Sequence, residues 1–250
     1  MGSPVTLALT VLGSSAMYAT RERAAAGYLV DSDGSYLWVD AGGGTWRNLL
    51  EQIDFRDLSG VLLTHAHPDH VGDVFQAFHA RHYGGPAPLP PIPLWAPKET
   101  IDALTTFSSS LADSFDCRAI AAGDELDFGG ARLAFFKMVH PEDAVSVRIA
   151  ADAGVIAYSG DGGPDSDFDG LAHDADWMVC EATLQDADKE WEGHMNATQA
   201  GTVAARCHVR HLVLTHLPPE RDLALSLAQA RSTAGDCDVS LAYDGLRIEV

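Results

Sequence analysis

A chain of 250 residues that is 46% hydrophobic and 21% charged carries enough apolar material for one sizeable core, which excludes a disordered chain. Its 16 Lys and Arg face 36 Asp and Glu, a formal net charge of −20, so its surface does not attract nucleic acid or anionic lipid. No stretch reaches the ~20 apolar residues needed to span a membrane, and four cysteines without a CxxC pair read as reduced thiols of a cytoplasmic protein.

The N-terminal VTLALTVLGSSA lacks the basic region of a signal peptide, and its alternation predicts a first strand over TLALTVL. MGSPVT fits the weak N-myristoylation pattern, but a strand needed in a sheet makes a poor anchor. GYLVD and YLWVDAGGG read as the next strands, with Gly42, Gly43 and Gly44 turning the chain into a helix over TWRNLLEQI. SGVLLTH is an apolar strand of the buried kind, and Val71, Val74, Phe75 and Phe78 then recur at helical spacing. Residues 84–97 hold half of the twelve prolines and predict a stiff loop, either a connector or a wall beside a site. A helix over KETIDALTTF follows. Strands are then expected over ARLAFFKMVH, AVSVRIA, GVIAYSGD and WMVCEAT, a helix over ATQAGTVAARCH, a strand over HLVLTHL and a helix over ERDLALSLAQARST. SLAYDGLRIEV closes the chain. Strands followed by helices in each half suggest two sheets packed face to face with helices outside, in a single domain over 1–250.

LLTHAHPDHVGD is the first chemical statement in this pattern. His65 and His67 alternate at a strand end, while Asp69 and His70 open the following helix. One tetrahedral ion rarely takes four ligands from so short a segment, whereas two ions side by side use them naturally. MVHPED, YSGDGG and VLTHLPP add His140, Asp161 and His216, each closing an apolar strand, with glycines beside Asp161 that allow close backbone approach. His79, His82, His173, His208 and His211 fit no motif, and Phe75 with Phe78 reads as core, with a dimer contact left open.

H-x-H-x-D-H followed by His, Asp and His at strand ends resembles the metallo-β-lactamase superfamily from about residue 5 onward. The resemblance implies an αββα four-layer sandwich of two mixed β-sheets. It places one metal on His65, His67 and His140, the other on Asp69, His70 and His216, and Asp161 between both. VCEATLQDADKEWEGHMNATQAG is similar to the ribonuclease Z branch, in which a Glu and a His, here Glu181 and His194, form a supporting pair. A carboxylate so placed orients the imidazole and raises its pKa, so that it can protonate a leaving oxygen. Asn196 stands where that branch often has Ser or Thr, and with Gln199 it can still cap the next helix.

Twenty residues separate His140 from Asp161, too few for the basic tRNA-binding arm of ribonuclease Z proper. The spacing is instead similar to compact phosphodiesterases of that branch. The expectation is a dinuclear hydrolase holding two Zn2+, or Mn2+ in their place, and cleaving a small anionic phosphodiester such as a cyclic nucleotide or short oligonucleotide. Asp69, Glu181 and His194 are its expected catalytic residues. A tRNA 3′-processing endonuclease, an ester or thioester hydrolase, and a non-catalytic metal-binding protein are the alternatives. A long nucleic acid and a membrane are not expected partners, and a homodimer is left open.

Overall fold

The computed structural model describes residues 6–250, so most of the MGSPVT stretch lies outside the described residues. The first half runs β1 (Leu7–Gly13), β2 (Gly27–Ser32), β3 (Ser35–Ala41), α1 (Thr45–Leu50), β4 (Leu58–Leu62), α2 (Pro68–Val71), α3 (Val74–Tyr83), β5 (Ile92–Ala96), α4 (Lys98–Phe107) and β6 (Phe115–Ala119). The second runs β7 (Glu125–Phe128), β8 (Ala131–Lys137), β9 (Val145–Ala151), β10 (Gly154–Tyr158), α5 (Phe168–Ala172), β11 (Trp177–Glu181), α6 (Ala197–Arg206), β12 (His211–Thr215), α7 (Leu223–Thr233), β13 (Asp238–Leu241) and β14 (Arg247–Glu249). These strands form two mixed seven-stranded sheets, ordered β14-β1-β2-β3-β4-β5-β6 and β13-β12-β11-β10-β9-β8-β7. Among the described residues, no helix is long and apolar enough to cross a membrane.

Three apolar layers make this a four-layer sandwich. Leu9, Val11, Tyr28 and Val39 of the first sheet meet Phe135, Val147, Ile149 and Val213 of the second between the sheets. Leu49, Val74, Phe78 and Leu104 seal helices against the outer face of the first sheet. Phe168, Ala200, Val203 and Ala230 do the same on the second. Each fully buried Leu, Val or Phe contributes about 1.5–3 kcal/mol relative to an exposed one. Between the sheets the Tyr28 and Tyr158 rings pack at a tilt of 52° with centroids 4.5 Å apart, yet their hydroxyls point to Thr215 and Asp40, so the apolar layer gives way to polar groups where the site begins.

Two expectations need correction. Residues 84–97 are not all loop, because Ile92–Ala96 forms the interior strand β5. Pro93 is tolerated because pairing with β4 begins only at Leu94, so its missing N–H costs that ladder nothing. The preceding turn folds back on α3, where Leu89 N–H donates to Arg81 O and Arg81 to Pro90 O, which makes it a connector. The expected helix after His67 is two helices, because Asp73 accepts from Gly44 N and Trp46 N and interrupts the chain between α2 and α3. Strands β6 and β7 and the short helix α5 were not read from the sequence at all. Asn196 does cap α6: its side chain accepts from Gln199 N, and Gln199 accepts in return from Asn196 N.

Candidate metal centre and active site

Strands β8, β10, β11 and β12 run in one direction, so their C-terminal ends share an edge. His140 and Asp161 follow β8 and β10, Glu181 ends β11, and His216 follows β12. From the other sheet, β4 ends at Leu62 and releases a turn carrying His65 and His67, with Asp69 and His70 in α2. A Cβ on Gly42 would lie 2.0 Å from Asp69 O, so only glycine lets the β3 turn approach α2 this closely. His216 and Asp40 both hold left-handed backbones, with φ of 52° and 54°, a strain of about 1–3 kcal/mol each that the surrounding packing maintains.

The surrounding hydrogen bonds dictate where each imidazole keeps its lone pair. His70 Nδ1 donates to Asp40 Oδ2 at 2.8 Å, and His140 Nδ1 to Gly193 O at 2.8 Å. Thr64 Oγ1 gives its proton to Asp40, so it accepts from His65 Nδ1 at 3.1 Å. Thr183 Oγ1 gives its own to Glu181 Oε2, so it accepts from His216 Nδ1 at 2.9 Å. Four Nε2 lone pairs therefore face inward. His65 Nε2 and His140 Nε2 lie 3.0 and 3.1 Å from His67 Nδ1. One ring proton on His67 cannot serve two converging lone pairs, whereas a cation serves all three nitrogens.

Asp161 completes the argument. Its Oδ2 lies 3.3 Å from His70 Nε2, 3.4 Å from His216 Nε2 and 3.9 Å from His65 Nε2. Its Oδ1 is buried with no hydrogen-bond partner among the described residues, a costly state unless an ion meets it. Ligand atoms of His65, His67, His140 and Asp161 lie within 4.8 Å of one another, as do those of Asp69, His70 and His216. Without an ion the cluster holds positive charge on imidazole instead: burial opposes it, but Asp161 and Asp40 raise His70 well above its ordinary value, and against the same cost of burial His216 and His70 in turn hold the Asp161 carboxyl well below its own. Burial and the neighbouring His70 push His65 well below 6.5, which keeps it neutral and able to ligate. This donor set of imidazoles and carboxylates fits zinc or a similar divalent ion.

Glu181 and His194 stand beside this cluster. His194 Nδ1 donates to Glu181 Oε1 at 2.8 Å, while Gly162 N and Thr183 Oγ1 donate to the same carboxylate. Burial pulls the His194 imidazolium down, but the Glu181 charge more than offsets it and raises the pKa to about 9. Ligand atoms of His194, Asp161 and His216 lie within 4.8 Å of one another, so a proton on His194 is held at the cluster's edge.

All nine residues singled out in the sequence are thus gathered at one place. The five unassigned histidines lie outside it; His173 and His208 are exposed. Asp40 was missed. It is fully buried and binds His70, Thr64 N, Thr64 Oγ1 and Tyr158 OH at once. Its signal was present, since VDAGGG is one more strand ending on a carboxylate before glycines. Asp40→Asn keeps the left-handed backbone but loses the charge that orients His70. The expected result is a ~10–100-fold loss of metal affinity in a chelator competition; unchanged affinity would remove Asp40 from this role.

The profile of the beta-lactamase superfamily domain matches residues 17–217. An uncharacterized protein of Mycobacterium leprae is 33% identical over 241 residues, covering 92% of this chain and 84% of that one. The probable metallo-hydrolase YhfI of Bacillus subtilis is 29% identical over 218 residues, covering 84% and 86%. Its crystal structure superposes with a TM-score of 0.89 at 24% identity, over 98% of this chain and 100% of that one. A ribonuclease Z of Kineococcus radiotolerans is 28% identical over 293 residues, covering 94% and 93%. With its two facing seven-stranded sheets and a His and Asp cluster at their shared edge, this chain belongs to the beta-lactamase superfamily and has the metallo-β-lactamase fold of its hydrolases.

Proposed function

We propose that this metallo-hydrolase holds two zinc ions and cleaves small phosphodiesters, such as cyclic nucleotides or short oligonucleotides. The observation that carries the reading is the Glu181–His194 pair at 2.8 Å beside the ligand cluster. Hydrolysis of a thioester expels a thiolate that needs little help, whereas a phosphodiester expels an alkoxide that needs a proton. His67, His65 and His140 would hold one ion, Asp69, His70 and His216 the other, and Asp161 both; manganese can replace zinc. When bound, the ions supply positive charge that polarises the phosphoryl oxygens and lowers the pKa of water. Asp69 accepts a hydrogen bond from the attacking water and sets its direction. His194 donates its Nε2 proton to the leaving alkoxide, and Glu181 stabilises the imidazolium beforehand.

Substrate size follows from charge. Beyond the ~8 Å screening length at physiological salt, a ligand meets a surface of net charge −20. Each further phosphate of a long nucleic acid needs a Lys or Arg partner. The twenty residues between His140 and Asp161 are used by β9 and β10, leaving no room for a basic arm. The relative named ribonuclease Z supports phosphodiester chemistry more than it supports tRNA as the substrate.

The test is a screen of zinc- and manganese-loaded protein on bis-p-nitrophenyl phosphate, 2′,3′- and 3′,5′-cyclic nucleotides, a lactone, a thioester and a pre-tRNA. Hydrolysis of the phosphodiesters at moderate salt is expected. Turnover confined to the lactone or thioester would replace the reading by an ester hydrolase. Accurate, salt-sensitive 3′ cleavage of the pre-tRNA would replace it by a tRNA endonuclease.

A further inference from the structure

The loop between β11 and α6 carries more than His194. Its neck is closed by Leu184 N donating to Met195 O and Ala197 N donating to Leu184 O. Its body is seated on Gly163, where a Cβ would lie 1.7 Å from Glu192 O. Trp191 stands near its tip. The Trp191 ring lies against Gly193, whose carbonyl orients His140, and a Cβ there would come within 3.0 Å of that ring. Ring centroids place Trp191 4.8 Å from His194 and 6.1 Å from His140. A large aromatic face is thus fixed next to the proton donor, yet it remains 45% exposed.

That face borders a cavity of about 360 Å³ lined by Met17, Leu184, Trp191, His194, Pro218 and Arg221 among others. Met17 is itself half-exposed and locked in place, with φ of 61° and its N–H donating to the ligand carboxylate of Asp69 at 2.8 Å. The cavity walls are mainly apolar. Apart from His194 at its edge, its one cation is Arg221, whose two terminal guanidinium nitrogens are committed to Asp188 at 3.0 and 2.8 Å, and Glu220 adds a negative charge to the wall. On the other side of Trp191 and His194 a second cavity carries Asp165, Asp188, Glu190 and Glu192, which repel phosphate.

We infer that Trp191 and this cavity form a subsite for the nucleobase of the substrate, an uncharged aromatic group stacked on the indole, and that a second phosphate is excluded from it. The inference deepens the phosphodiesterase reading and rests on it for the position of the phosphate. Base–aromatic stacking is tolerant of base identity because every base offers a π-face, so the subsite selects nucleosides as a class. With Arg221 tied to Asp188, Glu220 on the wall and the His194 proton directed at the scissile phosphate, a further phosphate finds no spare counter-charge there.

Calorimetric titration of the metal-loaded protein tests this without turnover. Adenosine 5′-monophosphate should bind about 5–150-fold more tightly than ribose 5-phosphate, and adenosine diphosphate no more tightly than the monophosphate. Trp191→Ala should erase the difference between monophosphate and sugar phosphate, while Trp191→Phe retains part of it, with metal content and circular dichroism unchanged in both. In turnover, Trp191→Ala should raise KM for a 3′,5′-cyclic nucleotide and leave KM for a base-free 1-O-methylribose cyclic phosphate unchanged. Equal affinity of the wild-type protein for both ligands, or a preference that survives Trp191→Ala, would overturn the subsite. If phosphodiesters are hydrolysed without any dependence on Trp191, the subsite falls and the phosphodiesterase stands. If none is hydrolysed but the Trp191-dependent preference is present, the subsite stands and the phosphodiesterase falls.

Discussion

Asp161→Ala is expected to lower kcat/KM by about 10³-fold or more, the several kcal/mol of charge stabilisation that bound metal supplies. One carboxylate oxygen lies within 3.3–3.9 Å of Nε2 atoms from His65, His70 and His216, so its removal injures both halves of the cluster. Metal analysis after reconstitution with zinc should give about two ions per chain for the wild type and fewer for the variant. Asp161→Asn preserves shape while removing charge, and should show most of the same loss. Folding is controlled by comparing metal-free wild type and variant by circular dichroism. One ion or fewer in the wild type, or a fully loaded and active Asp161→Ala, would reject the dinuclear centre.

His194→Ala is expected to lower turnover by ~10²–10⁴ on a substrate with a poor leaving group. A p-nitrophenolate ester needs little protonation of its leaving oxygen, so the loss there should be much smaller, with metal content unchanged. Equal losses on both substrates, or loss of metal, would reject His194 as the general acid. The pH profile gives an independent reading. A general acid must be protonated, and Glu181 raises the His194 pKa to about 9. Activity that depends on His194 is therefore present at neutral pH and lost as pH rises through about 9. Glu181→Gln removes the charge that raises this pKa and should move the alkaline limb to lower pH. An unmoved limb would separate that limb from His194.

The residues of the cluster were legible in the sequence because rare residue types recur in one short run and at several strand ends. His65 through His70 made the pattern visible, and His140, Asp161 and His216 each followed an apolar stretch. Strand limits were less legible at those same points. The expected strand over 59–65 stops at Leu62, and that over 154–161 stops at Tyr158. Leu63 continues the apolar run past the first end, but the backbone then turns from the ladder to the site: Asp40 takes Thr64 N–H, and past the second end Gly160 adopts φ of 57°. Strands β6 and β7 are hard to read for another reason, since FDCRA and ELDF are four or five residues long and each buries a single Phe, too little for a periodic pattern to stand out. Strand β5 was hidden by Pro93, whose cost depends on a pairing partner that the sequence does not display. Asp40 was hidden because it contacts His70 from behind rather than facing the cluster itself.

The four sheet edges have a consequence for solubility and for self-association. An outermost strand offers unpaired N–H and C=O groups that can template another chain. Here those strands are β14 and β6 in one sheet, and β13 and β7 in the other. β14 is three residues long and carries an Arg247–Glu249 ion pair, and β6 carries Asp116 and Arg118 joined at 2.7 Å. β7 presents Glu125, paired with Arg132, together with Asp127, and β13 begins on the exposed Asp238. Stacking two copies edge to edge would bring these carboxylates together on molecules that already share a charge of −20. Ordered fibrils and runaway β-pairing are thereby discouraged at every open margin of the sandwich, so the acidity that repels nucleic acid also keeps the sheets from growing.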